Sequence, residues 1–160
     1  NLLSKLPDKV SYLVHIVGLL ALVYLFFNRT SYLPFLGPTV VPPSYFTTEK
    51  QPALKNNSIE HTIFIDPVET SKIESVIYWA SDSNSNMGPE LGHAIGPDQA
   101  YNNYSNSGIA KINPDNSATF YLNQPVSYQV GLFNKQLPLH IHYRYVYRNG
   151  FLSEVKTDNI

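Results

Sequence analysis

The stretch from Leu139 to Lys156, LHIHYRYVYRNGFLSEVK, decides the fold class of this chain. Its first half alternates apolar and polar side chains, as a half-buried strand does. Asn149-Gly150 then interrupts it, and this dipeptide is preferred in two-residue type I′ hairpin turns. The pattern therefore predicts two antiparallel strands, 139–147 and 151–156, joined by a tight turn.

The first of these strands has two chemically different faces, because successive side chains of a strand point in opposite directions. One face is predicted to hold Leu139, Ile141, Tyr143 and Tyr145, and the other His140, His142 and Arg144. Two imidazoles at positions i and i+2 project side by side, close enough to share a metal ion, although two ligands do not complete a site. The alternative is a polar or interface face on which the histidines hydrogen-bond to loop backbone.

Further short strands precede this pair. Runs rich in β-branched and aromatic residues predict strands at 61–65, 73–80, 108–112, 118–122 and 126–130. Asn113 to Asn116, with the sequence NPDN, is a strong turn signal between two of them. About seven short strands with polar connections predict a mainly β chain, with an antiparallel β-sandwich over residues 59–160. Residues 81–107, rich in Ser, Asn, Gly and Pro, are predicted as a long loop.

An apolar run near the N-terminus predicts a membrane anchor. Val10 to Phe27 contains eighteen residues without Asp, Glu, Lys or Arg, and as a helix it would reach roughly 27 Å, near the thickness of a bilayer's hydrocarbon core. The bulky SYLP sequence at 31–34 lacks the small residues of a signal-peptide cleavage site, which favours a retained anchor. We therefore expect residues 1–30 to form a single-pass anchor in a lipid bilayer. A buried helix of a soluble domain is the alternative.

One face of the expected span carries small and polar residues. Ser11, His15 and Gly18 follow i, i+4, i+7 spacing, so they share a helical face. Such residues suit contact with a second transmembrane helix, because they allow close approach and offer hydrogen bonds. A lone imidazole near the headgroups is an equally open interpretation.

Residues 31–58 are predicted to form a proline-rich stalk. Within Leu33 to Ala53 there are five prolines: Pro34, Pro38, Pro42, Pro43 and Pro52. They exclude a helix and favour an extended backbone. The segment is also too apolar for a freely solvated linker, so we expect it to pack against something.

Composition excludes several function classes. A net charge of -1 with 14% charged residues argues against a nucleic-acid partner, which would need a basic patch. The chain has no cysteine, so thiolate metal sites and a Cys nucleophile are excluded. No Gly-x-Ser-x-Gly elbow and no phosphate-binding loop is present.

The region 109–147 resembles the intradiol ring-cleavage dioxygenases, whose transthyretin-like sandwich carries a P-x-x-Y element followed by a strand with H-I-H-F. Here PVSY at 125–128 is followed by HIHY at 140–143, although the Arg-Pro expected before the histidines is Leu137-Pro138. The resemblance implies a ferric ion held by Tyr128, His140, His142 and a second tyrosine. Tyr101 and Tyr104 are both available for that last position.

Across nearly its whole length the chain resembles a membrane-anchored minor capsid protein of the large icosahedral nucleocytoplasmic double-stranded DNA viruses. The resemblance lies in the span and in LPFLGPTVVPP at 33–43, VIYWA at 76–80, AYNNYSNSG at 100–108 and HIHYR at 140–144. It implies a structural, non-enzymatic virion protein without a cofactor. Such a protein would tether an internal viral membrane to the capsid shell above it, with other capsid or membrane proteins as partners.

Tyrosine and arginine are favoured at protein interfaces, which suggests contact residues for such a tether. The candidates are Tyr143, Arg144, Tyr145, Tyr147 and Arg148. The alternative is that the tyrosines belong to the core and the arginines are ordinary solvated side chains.

The sequence thus leaves three functions open. The leading expectation is the membrane-anchored capsid protein, and the second is an intradiol-like iron oxygenase or metal-binding domain. The third is a cell-surface or organelle binding module that presents residues 81–107 to a partner.

Overall fold

A computed structural model describes residues 7–27, 40–47, 50–82, 96–130 and 133–160 of the chain. Within those residues the protein is mainly β, with eight strands in antiparallel sheets and one long apolar N-terminal helix, as the sequence predicts. The chain divides into two units, Asn1–Val40 and Val41–Ile160. Parts of the predicted stalk (31–39 and 48–49) and nearly half of the predicted loop (83–95) lie outside the described residues.

The first unit contains helix α1, Asp8–Phe27. Its stretch Lys9–Phe26 has a mean hydropathy of 1.9, and none of it is buried in the protein. The helix is therefore long and apolar enough to cross a membrane. Within it, the His15 ring donates from Nδ1 to the Ser11 carbonyl oxygen at 2.6 Å, so one polar group of the predicted contact face is satisfied by its own helix.

The second unit contains the strands and two short helices. The strands are β1 Ser58–Phe64, β2 Ile73–Ala80, β3 Ser107–Lys111, β4 Ser117–Asn123, β5 Tyr128–Val130, β6 Lys135–Leu137, β7 His140–Tyr147 and β8 Lys156–Asn159. The helices are α2 Pro67–Thr70 and α3 Pro97–Tyr101, with 3₁₀ turns at Pro43–Tyr45 and Asn102–Tyr104. The sheets have the orders β1-β4, β3-β2-β7-β8 and β5-β6.

The apolar core lies between the β1-β4 sheet and the four-stranded sheet. Phe120 of β4 is fully buried and stacks on Tyr78 of β2, with ring centroids 4.6 Å apart. It also contacts Tyr143 of β7, at 5.7 Å between centroids. This face-to-face packing is the predicted sandwich. The aliphatic residues that fill the remaining space are Ile63, Ile73, Val76, Ala118, Leu122 and Ile141.

The predicted hairpin turns at the expected place, but its turn type and its second strand differ from the prediction. Of the Asn149-Gly150 pair only Gly150 has a positive φ, 86°, whereas a type I′ turn requires it at both residues. The Tyr147 N–H donates to the Phe151 carbonyl and the Gly150 N–H to the Tyr147 carbonyl, both at 2.9 Å, so the loop has three residues with a bulge at Gly150. The strand expected at 151–156 instead begins at Lys156. The cause is Ser153, because its hydroxyl accepts from Tyr145 N–H while its carbonyl accepts from Arg144 Nε. The pairing register shifts by one residue before β8 begins.

Other elements also depart from expectation. Helix α3 and the 3₁₀ turn after it lie in the segment predicted as loop, and the short polar strand β6 has no apolar pattern to indicate it.

The second half of the predicted stalk packs on the sandwich. The Lys50 carbonyl accepts from Ile109 N–H beside β3, and the Asn123 side chain bonds both the Ala53 carbonyl and the Lys55 N–H.

Candidate functional site

Strand β7 lies between β2 and β8, and both of its faces are buried. Its apolar side chains enter the sandwich core, as predicted, whereas His140, His142 and Arg144 point to the opposite face. These three are only 6%, 2% and 4% exposed. The polar face of the strand is therefore a second interior rather than a solvated surface, and charged or polar groups there need partners.

Two tyrosines from separate elements meet the histidines on this face. Tyr101 lies at the end of α3 and Tyr128 at the start of β5, and both are buried. Their hydroxyl oxygens are 3.1 Å apart. The Tyr101 oxygen is 3.2 Å and the Tyr128 oxygen 3.1 Å from Nε2 of His140. Three donor atoms from distant parts of the sequence thus form a nearly equilateral triangle.

The fourth member of this cluster is His142. Its ring centroid is 4.8 Å from that of His140 and 5.9 Å from that of Tyr101. Its Nδ1 is 2.8 Å from the Thr157 hydroxyl of β8, which makes Nε2 the nitrogen that would bind a metal. We call Tyr101, Tyr128, His140 and His142 the Tyr-His cluster.

The tautomer of His140 follows from its backbone contact. Nδ1 lies 2.6 Å from the Pro138 carbonyl oxygen, which can only accept, so Nδ1 carries the hydrogen. In the neutral ring Nε2 is then an acceptor with its lone pair directed at the two tyrosines. The same contact fixes the ring plane, as the outer hydrogen bonds of metal-binding histidines do.

When the side chains are neutral, the three short contacts of the triangle outnumber the hydrogen atoms that can lie between their atoms. The two tyrosine hydroxyls supply two hydrogens for three short contacts, so one pair of acceptor atoms must face each other without a hydrogen between them. A cation at the centre would remove that repulsion. A point in the plane equidistant from the three atoms lies about 1.8 Å from each, near the roughly 2.0 Å of metal–oxygen and metal–nitrogen bonds. The donor set therefore fits a metal ion.

The protonation of Tyr101 bears on how a metal would bind. Burial raises the pKa of the Tyr101 hydroxyl well above its usual value, and the neighbouring Tyr128 and Tyr104 hydroxyls raise it further. Without a metal the hydroxyl is therefore neutral at physiological pH. Metal binding would release protons from the cluster, because a phenolate is the form that ligates.

Within the described part of the chain, no group of three or more His, Cys, Asp and Glu side chains comes together as a metal site. The Tyr-His cluster is not of that kind, because half of its donors are phenol oxygens. Trp79 borders the cluster, with its ring 5.6 Å from that of His142. It is fully buried, and its Nε1 has no hydrogen-bond partner among the described residues. Trp79 is therefore an anchor of the interior beside the cluster.

The residues predicted to contact a capsid partner are distributed differently. Tyr143 and Tyr145 are each 9% exposed and belong to the core, and Arg144 is buried on the other face. Tyr147 is half-buried and Arg148 is exposed. The contact role itself stays a prediction, and of the five only Tyr147 and Arg148 offer substantial side-chain surface.

The structure also distinguishes between the two tyrosines that the sequence left available. Tyr101 joins the cluster, whereas Tyr104 is half-buried and lies beside it, with its ring 6.1 Å from that of Tyr101. Sequence reasoning could not choose between them, because the short helix that ends at Tyr101 has no apolar period.

Comparisons with known proteins add a fold likeness. The sequence matches no known protein family and no curated protein. Among solved structures the chain is similar to chlorocatechol 1,2-dioxygenase from Pseudomonas putida, with a TM-score of 0.44 and 14% sequence identity. The match covers 94% of this chain and 70% of that one.

Proposed function

We propose that the second unit, Val41–Ile160, is a metal-binding domain whose ligands are Tyr101, Tyr128, His140 and His142, with ferric iron as the metal. The observation that supports this best is the triangle of hydroxyl and imidazole atoms, with sides of 3.1, 3.1 and 3.2 Å in a buried setting. Hydrogen bonds alone satisfy such a triangle poorly, and a cation satisfies it well.

The donor types favour iron. Imidazole suits zinc, copper, iron and nickel, so the histidines alone do not select among these metals. Two phenolates add hard, anionic oxygen donors, and their two negative charges offset much of the charge of a ferric ion in a site that excludes water. When bound, such an ion supplies Lewis acidity toward oxygen ligands.

The protein's own residues supply position and protons. Pro138 and Thr157 orient the two imidazoles through their Nδ1 atoms. Tyr101 and Tyr128 would hold the ion through their phenol oxygens, which would lose their hydroxyl protons to solvent on binding. The sequence resemblance at 125–143 makes catechols the first substrate class to test, and intradiol ring cleavage is the proposed activity.

The test uses the full chain in detergent, stripped of metal and then titrated with ferric iron. We expect one iron per chain by elemental analysis, with a visible tyrosinate-to-iron absorption band. Tyr128→Phe and His140→Gln should each abolish the band. Tyr121→Phe is the matched control, because Tyr121 is a surface residue on β4 outside the cluster.

Colourless, metal-free wild-type protein would overturn the proposal. Tight binding of zinc with no affinity for iron would retain the site but overturn the choice of metal. Oxygen uptake with catechol by the iron-loaded chain would extend the function to ring cleavage, and its absence would limit the function to binding.

A second candidate is the membrane tether of a virion. The observation that favours membrane attachment is α1, an apolar helix of twenty residues in which none of the stretch Lys9–Phe26 is buried. We propose a single-pass location in an internal viral membrane beneath the capsid, with capsid or membrane proteins as partners. The resemblance implies a protein without a cofactor, so the tether and the metal site are separate proposals that are tested separately.

Two measurements test the tether. Alkaline carbonate should leave the full chain in the membrane pellet, and release into the supernatant would contradict anchoring. Fractionation of purified particles should recover the protein in many copies with the viral membrane. Recovery only in host cell-surface or organelle membranes would instead favour the binding module.

A further inference from the structure

We propose that Asp82 is a positioning residue that holds Tyr101 in the Tyr-His cluster, acting together with Lys55 and Ser105. This inference rests on the proposed metal site and deepens it. Asp82 lies two residues after the end of β2, and its side chain is only 3% exposed although it carries a charge. A buried carboxylate is costly unless it is paired and hydrogen-bonded, so its presence needs a reason.

Asp82 contacts the chain on both sides of Tyr101. Its backbone N–H donates to the carbonyl of Ala100 at 2.7 Å, one residue before the tyrosine. Its Oδ2 accepts from the Ser105 hydroxyl at 2.8 Å, four residues after the tyrosine. One residue thereby fixes both ends of the short segment that carries the proposed ligand.

The segment between Ala100 and Ser105 has a strained backbone, so contacts from outside it must keep it in place. Asn103 and Tyr104 both have left-handed backbone conformations, with φ of 58° and 59°. Residues other than glycine adopt this region at a cost, so they persist there only where the surroundings enforce it. Without the Asp82 contacts, we expect the segment to relax and to withdraw Tyr101 from the two histidines.

Lys55 completes the arrangement from the other side. Its Nζ lies 2.6 Å from Oδ1 of Asp82. Its own backbone is fixed, because the Lys55 N–H donates to the Asn123 side chain at 2.8 Å. The charge of Asp82 is thus matched by a lysine at the end of the proline-rich segment.

The experiment compares iron binding and hydrogen exchange in full-length variants. Asp82→Asn keeps the size and the backbone N–H but loses the charge. Ser105→Ala removes one hydroxyl at an exposed position and is expected to fold normally. Glu69→Gln is the matched control, since it alters an exposed ion pair with Lys72.

We expect the iron dissociation constant to rise about 10- to 100-fold in Asp82→Asn and up to about 10-fold in Ser105→Ala, the range for residues that orient metal ligands. The absorption band should weaken and shift, because one of two tyrosinates is displaced, and Glu69→Gln should match wild type. Amide exchange at residues 97–107 should speed up in both variants, even in metal-free protein.

The outcomes separate the two proposals. A wild-type chain that binds no iron overturns the metal site and, with it, the role of Asp82 there, whereas iron binding unchanged in Ser105→Ala and Asp82→Asn overturns only the role of Asp82. If Asp82→Asn does not fold, the Ser105→Ala affinity and band decide. Faster exchange with unchanged iron binding shows a purely structural contact and also overturns the proposal.

Discussion

The two faces of strand β7 are both buried, yet they hold their neighbours by different means. On one face Tyr143 packs against Phe120 in an apolar core that excludes water. On the other, His140 lies at hydrogen-bond distance from two tyrosine hydroxyls and the Pro138 carbonyl, and His142 from the Thr157 hydroxyl. Burial of apolar area stabilises the first face. The second gains little from burial, because its polar groups lose water and must regain partners. We call the face of β7 that holds Tyr143 the core face and the face that holds His140 and His142 the cluster face. The core face should therefore determine stability, and the cluster face should determine binding.

The largest expected effect comes from emptying the core face. Phe120→Ala removes a fully buried ring that contacts Tyr78 and Tyr143. We expect a loss of about 3–5 kcal/mol in the free energy of unfolding, measured by urea denaturation. Phe64→Ala is the matched control, because that ring is 79% exposed. A loss in Phe120→Ala no larger than in the control would break the comparison.

Overfilling the same face should cost less. A methyl group at Gly108 would overlap the Tyr78 hydroxyl and the Lys50 carbonyl oxygen. We expect Gly108→Ala to lose about 1–3 kcal/mol in the free energy of unfolding, the range for overpacked cores. Gly96→Ala is the control, since no atom of the described residues, its chain neighbours aside, lies within 4 Å of a methyl group there. Equal stability of both variants would show that Tyr78 yields without cost.

The core face is the part of the fold that the sequence predicted well. Alternation in 139–147 correctly separated Ile141, Tyr143 and Tyr145 from the histidines, because the two-residue period of a strand is a local property. The hairpin's second strand was predicted wrongly, since the competing bonds of Ser153 and Arg144 depend on side-chain geometry that no pattern records.

The cluster face was only partly predictable. The resemblance of PVSY at 125–128 and HIHY at 140–143 to the intradiol motif indicated three of its four members, Tyr128, His140 and His142. Tyr101 comes from a short helix in the segment that was predicted as loop, and the residue before it bonds to the distant Asp82, a tertiary contact that no local pattern records. The alternation of apolar and polar residues also could not reveal that the polar face is buried. It shows that the two faces of the strand differ, but it does not show which other elements pack against each face.

Matched hydroxyl deletions sharpen the contrast between the faces. Tyr78→Phe removes the bond to the Tyr121 carbonyl on the core face, at an expected cost of about 1 kcal/mol and with iron binding unchanged. Tyr128→Phe should change the stability of the metal-free chain by less than about 1 kcal/mol, because Tyr101 can then donate to His140 without competition. It should nevertheless abolish the iron band. Equal effects of the two variants on both measurements would remove the distinction.

The smallest effect is expected at mildly alkaline pH, and it belongs to the core face. Burial is the main cause that raises the pKa of Tyr78 to about 12, and burial followed by the charge of Asp158 raises that of Tyr143 to about 12. An unfolded tyrosine ionises near pH 10. The folded state therefore keeps these protons when the unfolded state loses them, so their contribution to stability is complete below pH 10 and is lost progressively as the pH rises to 12. Urea denaturation at pH 9, 10 and 11 should show this decline, beginning gently, and Tyr78→Phe should make it shallower. Stability that stays constant over that range, or a decline equally steep in Tyr78→Phe, would mean that Tyr78 is not protected from ionisation by the core.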